Sequence, residues 1–242
     1  MKKLVVFWLM LSSVAVFAQA PVEYYWTQGA SRVYMGPAND NICYLQAMGG
    51  RFEGKRESVM VGYDNGHYRL SGRSNQHSVF ARARCIQANG ELYEHRDVLW
   101  WQPQDSVFVA DNKTNVCYLR QVSGKFEGPG EAVRVYRDGN GWRINGKSNQ
   151  INVHALARCT KMQTGYWSKT YSWSQGQPDV VMSPFHNTIC VLQRVTGKFE
   201  GYAEFVQITT NNGNGRYMLG GNSRQVGVGA TAICFKPSEI GT

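Results

Sequence analysis

Hydrophobic and polar residues alternate along many short stretches of this chain. The run at 79–85 is one example, because small or apolar residues occupy every second position and charged or aromatic residues lie between them. A period of two is typical of a strand with one side against a hydrophobic core. The same alternation returns at 153–159 and at 228–234, and no stretch after the N-terminal segment carries a helical period. The pattern therefore predicts an all-β protein.

Turn-forming residues separate the predicted strands. The segments 64–66 (Asp-Asn-Gly) and 138–141 (Asp-Gly-Asn-Gly) are two examples. Asparagine and glycine adopt the positive φ that tight β-hairpins require. Each stretch of about 72 residues then contains five or six short antiparallel strands, which we expect to form a small sandwich or barrel.

One sequence unit occurs three times. Each copy has an apolar run around its first cysteine, followed by Gly-Lys/Arg-Phe-Glu-Gly, a further glutamate, a Ser-x-Gln triplet and a closing cysteine. The predicted units span residues 22–95, 96–168 and 169–242 and are called units 1, 2 and 3. Because the closing strands carry small alanines on their inner side, large residues are expected opposite them. The candidates are Trp142 and the repeated Phe52, Phe126 and Phe199.

A tryptophan precedes the first cysteine of every unit. We take the equivalent residues to be Trp26, Trp101 and Trp173, which precede the first cysteine of their unit by 17, 16 and 17 residues. Trp100 and Trp101 are neighbours and so point to opposite sides of a strand. One of the two is therefore expected outside the core of its unit.

The N-terminal segment 1–20 has the features of a secretory signal peptide. Lys2 and Lys3 precede an apolar stretch, and Ala-Gln-Ala at 18–20 fits the A-x-A cleavage pattern. The apolar stretch is shorter than the roughly 20 residues of a membrane span. We expect a protein exported to the periplasm or the extracellular space, with no membrane span after cleavage.

All six cysteines follow the predicted signal peptide. An even number of cysteines in an exported chain indicates disulfides. The two cysteines of a unit are separated by 42, 42 and 44 residues, and this regularity selects one connectivity. The predicted disulfides are Cys43–Cys85, Cys117–Cys159 and Cys190–Cys234. Each closes a loop whose restriction in the unfolded chain is worth about 4 kcal/mol.

Composition and charge narrow the classes of function. With 43% hydrophobic and 18% charged residues, the chain is not typical of a disordered protein. Lys and Arg number 26 against 17 Asp and Glu, a net charge of +9 that favours an anionic partner. Export, and the absence of RRM, KH or helix-turn-helix patterns, argue against nucleic acid.

The sequence contains neither a G-x-S-x-G motif nor an H-E-x-x-H motif. None of the five histidines recurs at an equivalent position of the units. Every cysteine is assigned to a predicted disulfide, so no thiol is left to act as a nucleophile. We expect a protein that is not an enzyme, with no cofactor.

Glutamates spaced by four recur in the three units, as in Glu127 and Glu131. These two are the candidates for a calcium site, and paired carboxylates also serve as acid and base on a glycosidic bond. The alternative, which we favour, is structural. In it, the first glutamate pairs with a basic neighbour and the second bonds to backbone amides of the turn.

Polar and basic residues of the units provide the candidate ligand contacts. The amides of the Ser-x-Gln triplets suit sugar hydroxyls, and the alternative is that they hold the loops in place. The basic residues suit phosphate, sulfate or uronate groups, and the alternative is a solubilising surface. Arginines or lysines on outward parity are Arg69, Arg73, Arg82, Arg84, Arg143, Lys147 and Arg158, and unit 3 lacks them. The predicted ligand-binding residues are Arg69, Arg73, Asn75, Gln76, Arg143, Lys147, Asn149, Gln150 and Gln225.

Aromatic residues cluster where each unit begins. An aromatic ring stacks on the C–H groups of a pyranose, and the alternative is that these rings pack between the units. The residues are Tyr24, Tyr25, Trp26, Trp100, Trp101, Tyr171 and Trp173.

The complete pattern in unit 2 is C-Y-L-x(3)-V-x-G-K-F-E-G-x-G-E, then S-x-Q and V-x-A-x-A-R-C. It resembles a cysteine-bracketed β-module of exported bacterial proteins and of phage tail-fibre tips. Unit 3 departs from the pattern at Val191, Met218 and Ile233. The resemblance implies a module for surface recognition and assigns no activity to any residue.

The sequence favours a non-catalytic, multivalent binding protein that recognises carbohydrate or another anionic envelope polymer, as a lectin does. Three linked copies would raise avidity through effective concentration. The first alternative is a periplasmic structural or inhibitory protein that binds a protein partner. The second alternative is a secreted glycan hydrolase.

Overall fold

The structure is a computed structural model that describes residues 22–39, 41–87, 97–139, 141–211 and 213–240. The predicted signal peptide and the boundary between units 1 and 2 lie outside these residues. The described part contains eighteen strands, each antiparallel to its neighbours, and one 3-10 turn at Pro237–Glu239. The prediction of an all-β chain built from three units with one disulfide each is confirmed.

Every unit contributes six strands. Those of unit 1 are β1 (Val22–Thr27), β2 (Val33–Pro37), β3 (Asn41–Gly49), β4 (Ser58–Asp64), β5 (His67–Arg73) and β6 (Phe80–Gln87). Those of unit 2 are β7 (Val98–Trp101), β8 (Val107–Asp111), β9 (Asn115–Ser123), β10 (Ala132–Asp138), β11 (Gly141–Lys147) and β12 (His154–Lys161). Those of unit 3 are β13 (Ser168–Ser174), β14 (Val180–Pro184), β15 (Ile189–Thr196), β16 (Phe205–Asn211), β17 (Arg216–Asn222) and β18 (Gly229–Phe235).

Each sheet is shared between two units. The first sheet has the order β1-β6-β3-β16-β17-β14 and joins units 1 and 3. The second, β2-β5-β4-β9-β12-β7, joins units 1 and 2, and the third, β13-β18-β15-β10-β11-β8, joins units 3 and 2. Three strands of every unit therefore belong to one sheet and three to another, which interlocks the units through backbone hydrogen bonds.

The three disulfides lie inside the units. Each joins the first long strand of a unit to its last strand, and the two cysteines face each other directly in the register of the sheet. The bonds are Cys43–Cys85, Cys117–Cys159 and Cys190–Cys234, as predicted. No free cysteine remains in the described residues.

Large aromatic side chains fill the space above the small alanines. Trp26, Trp100 and Trp173 lie opposite an alanine of the closing strand and are buried. The assignment of Trp101 as the equivalent residue is wrong, because Trp101 is 57% exposed while Trp100 takes the inner place. The expectation that one of the two lies outside the core is confirmed.

An approximate three-fold axis passes between the units at the phenylalanines of Gly-Lys/Arg-Phe-Glu-Gly. Phe52, Phe126 and Phe199 are fully buried, and each ring centroid lies 6.2 Å from the other two. Their backbones form a closed ring, because each N–H donates to the carbonyl of the next phenylalanine at 2.7 Å. The repeated motif thus builds the centre of the molecule, where all three units meet.

Candidate functional site

The Ser-x-Gln triplets form compact turns through their backbones. The backbone N–H groups of Gln76, Gln150 and Gln225 each donate to the Oγ of the serine in the same triplet, at 2.8 to 2.9 Å. The backbone N–H groups of Asn75 and Asn149 donate to buried glutamate carboxylates at 3.3 Å. The triplets therefore have a structural role in the turns, and ligand binding by their side chains stays a prediction.

The predicted basic residues of units 1 and 2 lie in different sheets. Arg69 and Arg73 are on β5 of the second sheet, whereas Arg143 and Lys147 are on β11 of the third. The Arg143 Nε lies 2.9 Å from an Asp138 carboxylate oxygen. Arg69 has its Nε 3.8 Å from a carboxylate oxygen of Asp64 and its guanidinium 6.0 Å from the ring centroid of Tyr34. The structure thus does not gather these residues on one sheet.

The paired glutamates have separate surroundings. Glu127 pairs with Lys125 at 2.7 Å, and its counterparts Glu53 and Glu200 also pair with a basic residue two positions earlier. Glu131 is buried, and its Oε1 accepts the amide hydrogen of Asn149. Among the described residues, no group of three or more His, Cys, Asp or Glu side chains is arranged to hold a metal ion.

The three sheets carry equivalent surfaces where strands of two units pair. We call each surface a junction: the first consists of β1, β6, β3, β16 and β17, the second of β7, β12, β9, β4 and β5, and the third of β13, β18, β15, β10 and β11. In every junction, the strand carrying the second cysteine of one unit and the hairpin of another unit lie in one continuous sheet. The junctions share backbone geometry but differ in side chains.

A buried cluster of charges closes the second junction. Arg158 is only 2% exposed, and its Nε and Nη2 donate to the two carboxylate oxygens of Asp97 at 3.1 and 3.3 Å. Arg120 contacts the same carboxylate and donates to the carbonyl of Val61. The Arg158 guanidinium lies 5.2 Å from the ring centroid of Tyr68. One carboxylate therefore serves two buried cations.

The first junction repeats this arrangement in a looser form. Arg84 is 5% exposed, and its Nη2 lies 3.4 Å from a carboxylate oxygen of Glu23. The same nitrogen donates to the Thr210 hydroxyl at 3.4 Å, and the guanidinium lies 5.9 Å from the ring centroid of Tyr217. Burial raises the pKa of the neighbouring Tyr44 well above its ordinary value, so its phenol stays neutral.

The alternation of side chains along a strand wrongly predicts that Arg84 and Arg158 are exposed. Both point away from the core of their own unit, which agrees with the outward position inferred from the sequence. They are nevertheless buried, because side chains of another unit pack against them. Tyr217 and Thr210 of unit 3 contact Arg84, and Tyr68 of unit 1 contacts Arg158. Neither residue therefore belongs to an exposed basic surface.

Next to the buried cluster, the first junction carries a row of three aromatic rings. Tyr25, Phe80 and Phe205 lie on β1, β6 and β16, with centroid distances of 6.0 and 6.2 Å between successive rings. Gly49 of β3 lies between the last two strands, and a Cβ there would come within 2.6 Å of the Phe80 ring and within 2.5 Å of the Phe205 Cβ. The glycine thus allows Phe80 and Phe205 to meet across its strand. We call these three residues the aromatic row.

The aromatic row has polar side chains at its edge. Arg82 faces Tyr25 across the β1–β6 pair, and its Nη1 lies 3.5 Å from Oε1 of Gln207. Tyr25 is 54% exposed, whereas Phe80 and Phe205 are half-buried. The equivalents of Tyr25 in the other junctions are Leu99 and Ser172. The row is therefore particular to the first junction.

Sequence reasoning named Tyr25 among the clustered aromatic residues but missed Phe80 and Phe205. Phe80 lies 125 positions away from Phe205 in the chain, and the two come together only because β3 pairs with a strand of another unit. The one signal in the sequence is that Phe80 and Phe205 occupy positions that have no aromatic residue in the other units.

Comparison with protein-family models, with curated proteins and with solved structures finds no match to this chain. In the residues that the structure describes, no helix is long and apolar enough to cross a membrane.

Proposed function

We propose that the protein is an exported, non-catalytic binding protein that recognises carbohydrate or another anionic envelope polymer, as lectins do. The observation that carries this proposal is the aromatic row of the first junction with Arg82 and Gln207 at its edge. No catalytic assignment is needed for this role. The three disulfides are consistent with an oxidising compartment outside the cytoplasm.

The aromatic row suits a sugar because it combines an apolar surface with directional polar groups. Ligand sites are typically lined by aromatic side chains with a few polar groups that set orientation. The amide of Gln207 has both donors and an acceptor, and the Arg82 guanidinium has only donors. A pyranose lying against Tyr25 and Phe80 would therefore find partners for its hydroxyls, and Arg82 would favour a negatively charged substituent.

The row lies on a rigid support. Its three rings stand on strands β1, β6 and β16 of one sheet, and Phe80 and Phe205 are each partly covered. Side chains held in this way lose little conformational entropy when a ligand binds. The residues predicted from the sequence, such as Arg143 and Lys147, lie in another sheet and would form a second contact surface of the same protein.

The test is a glycan array probed with the oxidised full chain at low and at moderate salt. The informative variant is Tyr25→Ala, which removes the most exposed ring of the row. The matched control is Leu99→Ala, because Leu99 is the equivalent residue of the second junction and is 47% exposed. We expect specific glycan signals that Tyr25→Ala abolishes and Leu99→Ala retains.

Two outcomes would contradict the proposal. An array without specific signals would exclude carbohydrate and move a protein partner to first place, to be sought as a stoichiometric complex. Signals that both variants retain would show that the aromatic row is not the binding site. Signals that fall with salt but keep their specificity would support an anionic polymer as the ligand.

A further inference from the structure

The third junction lacks the ion pair that fills the other two. In the first and second junctions, an arginine of the closing strand meets a carboxylate: Arg84 with Glu23, and Arg158 with Asp97. In the third junction the equivalent residues are Ile233 and Thr170, which face each other across β13 and β18. Both charges of the pair are therefore missing at this junction.

A cavity of about 230 Å³ opens on this junction. Thr170 lies in its wall, together with Thr231, Gln193 and Trp142. A water molecule takes up about 30 Å³ of liquid volume, so the cavity has room for an oxyanion and part of the group that carries it. The wall also contains Arg134, Arg137 and Arg194 and has no acidic residue. We call these three arginines with the cavity the arginine groove.

Two of the arginines oppose each other directly. Arg134 of β10 and Arg194 of β15 are register partners in adjacent antiparallel strands. Like charges in this position destabilise a sheet. The equivalent pairs in the other junctions are Gln207 with Ala47 and Met60 with Gln121, and neither pair carries a charge. The repulsion is thus particular to the arginine groove.

Two arginines of the groove are held by neutral groups. Arg134 donates to Oδ1 of Asn145 at 2.9 Å, and its guanidinium lies 4.4 Å from the ring centroid of Tyr136. Arg137 donates to Tyr166 and Ser168 at 2.8 and 2.9 Å. These contacts fix the guanidinium groups in place and leave their positive charges uncompensated.

Arg194 has the least favourable surroundings of the three. Its Nε is buried and has no hydrogen-bond partner. Burial, and then the positive charge of Arg134, lower the pKa of Arg194 from its ordinary value. In the described part of the chain, no ion pair involves any of the three arginines. A bound anion would supply the missing negative charge.

We propose that the arginine groove binds the phosphate or sulfate group of an anionic ligand between Arg134, Arg137 and Arg194. Guanidinium groups form charge-assisted, often bidentate hydrogen bonds with such oxyanions. The hydroxyls of Thr170 and Thr231 can donate to the remaining oxygens. Among the described residues this arrangement occurs at the third junction alone, because Arg84 and Arg158 with their carboxylates occupy the equivalent places in the other junctions.

The site is tested with inorganic phosphate and inorganic sulfate as probes and the oxidised full chain as the protein. An anion that binds the folded state alone raises the unfolding temperature according to its concentration. We expect phosphate or sulfate to raise the unfolding temperature more than chloride at the same ionic strength. Comparing the two oxyanions tells which group the groove prefers, and a response to either one supports the site.

Two variants locate the effect. Arg194→Gln should abolish the difference between oxyanion and chloride, whereas Arg32→Gln should retain it. Arg32 is an exposed arginine of unit 1, which contributes no strand to the third sheet. Arg32→Gln therefore removes one positive charge, as Arg194→Gln does, but away from the groove. An equal response to chloride, or an oxyanion response that Arg194→Gln retains, would overturn the proposal.

A third variant tests the comparison of junctions on which the proposal depends. Thr170→Glu combined with Ile233→Arg restores the ion pair of the other two junctions. We expect this variant to lose the oxyanion response while keeping the circular dichroism spectrum of the folded protein. A folded double variant that still responds would overturn the proposal. The result is independent of the aromatic row, because the row belongs to another junction and is tested with Tyr25→Ala.

Discussion

Removing one phenylalanine at the three-fold axis tests whether the three units unfold together. Phe126 is fully buried, and its ring contacts those of Phe52 and Phe199 at centroid distances of 6.2 Å. Phe126→Ala leaves a cavity where all three units meet. A phenylalanine truncated to alanine in a core reduces the free energy of unfolding by about 3–5 kcal/mol. In a chain of this size, that corresponds to a fall in unfolding temperature of roughly 6–20 °C.

The assay is urea and thermal unfolding of the oxidised chain, followed by tryptophan fluorescence and far-UV circular dichroism. We expect a single transition that moves as a whole, because every sheet contains strands of two units. Phe108→Ala is the control, since Phe108 is 56% exposed, and it should change stability by no more than about 0.5 kcal/mol. A second transition that keeps the wild-type midpoint in Phe126→Ala would refute the reasoning.

Two further predictions concern buried polar groups of the second junction. Asp97→Asn leaves Arg120 and Arg158 without their carboxylate, so urea unfolding should show a free energy of unfolding lower by about 3–5 kcal/mol. The control Asp138→Asn, at an exposed ion pair, should lower it by less than about 1 kcal/mol. Similar losses of stability in the two variants would contradict this account. Burial raises the pKa of Tyr118 from 10.0 to about 12, so above pH 10 the unfolded chain releases this proton first and stability falls as pH rises towards 12. Urea midpoints across this range should fall less steeply in Tyr118→Phe, and an unchanged slope would exclude Tyr118 as a cause.

The fold class and the disulfides could be predicted from the sequence because both depend on local patterns. Alternation identifies a strand, and the repeated spacing of the cysteines pairs them within a unit. The wrong assignment of Trp101 to the place of Trp100 shows that spacing alone does not tell which side of a strand a residue faces. Only Trp100 lies opposite Ala155 on the inner side of the sheet, and a difference of one position reverses the side of a strand.

The sharing of sheets between units could not be predicted, and this had consequences for the site. Alternation tells which side of a strand faces the core of its own unit. It does not tell whether side chains of another unit pack against the opposite side, which is how Arg84 and Arg158 come to be buried. For the same reason, the aromatic row and the arginine groove each combine residues of two units and have no signature in a single stretch of sequence.

We expect the binding sites to lie where the units differ. Residues present in all three copies have structural explanations: the phenylalanines form the axis, the cysteines close the units, and the serines hold the turns. A binding site that needs one particular set of side chains has no reason to be repeated, since equivalent junctions are free to diverge while the backbone stays the same. The junctions have in fact diverged into an aromatic row, a closed ion cluster and an arginine groove. A ligand long enough to contact more than one junction would therefore meet different chemistry at each, and its orientation on the protein would be fixed by those differences.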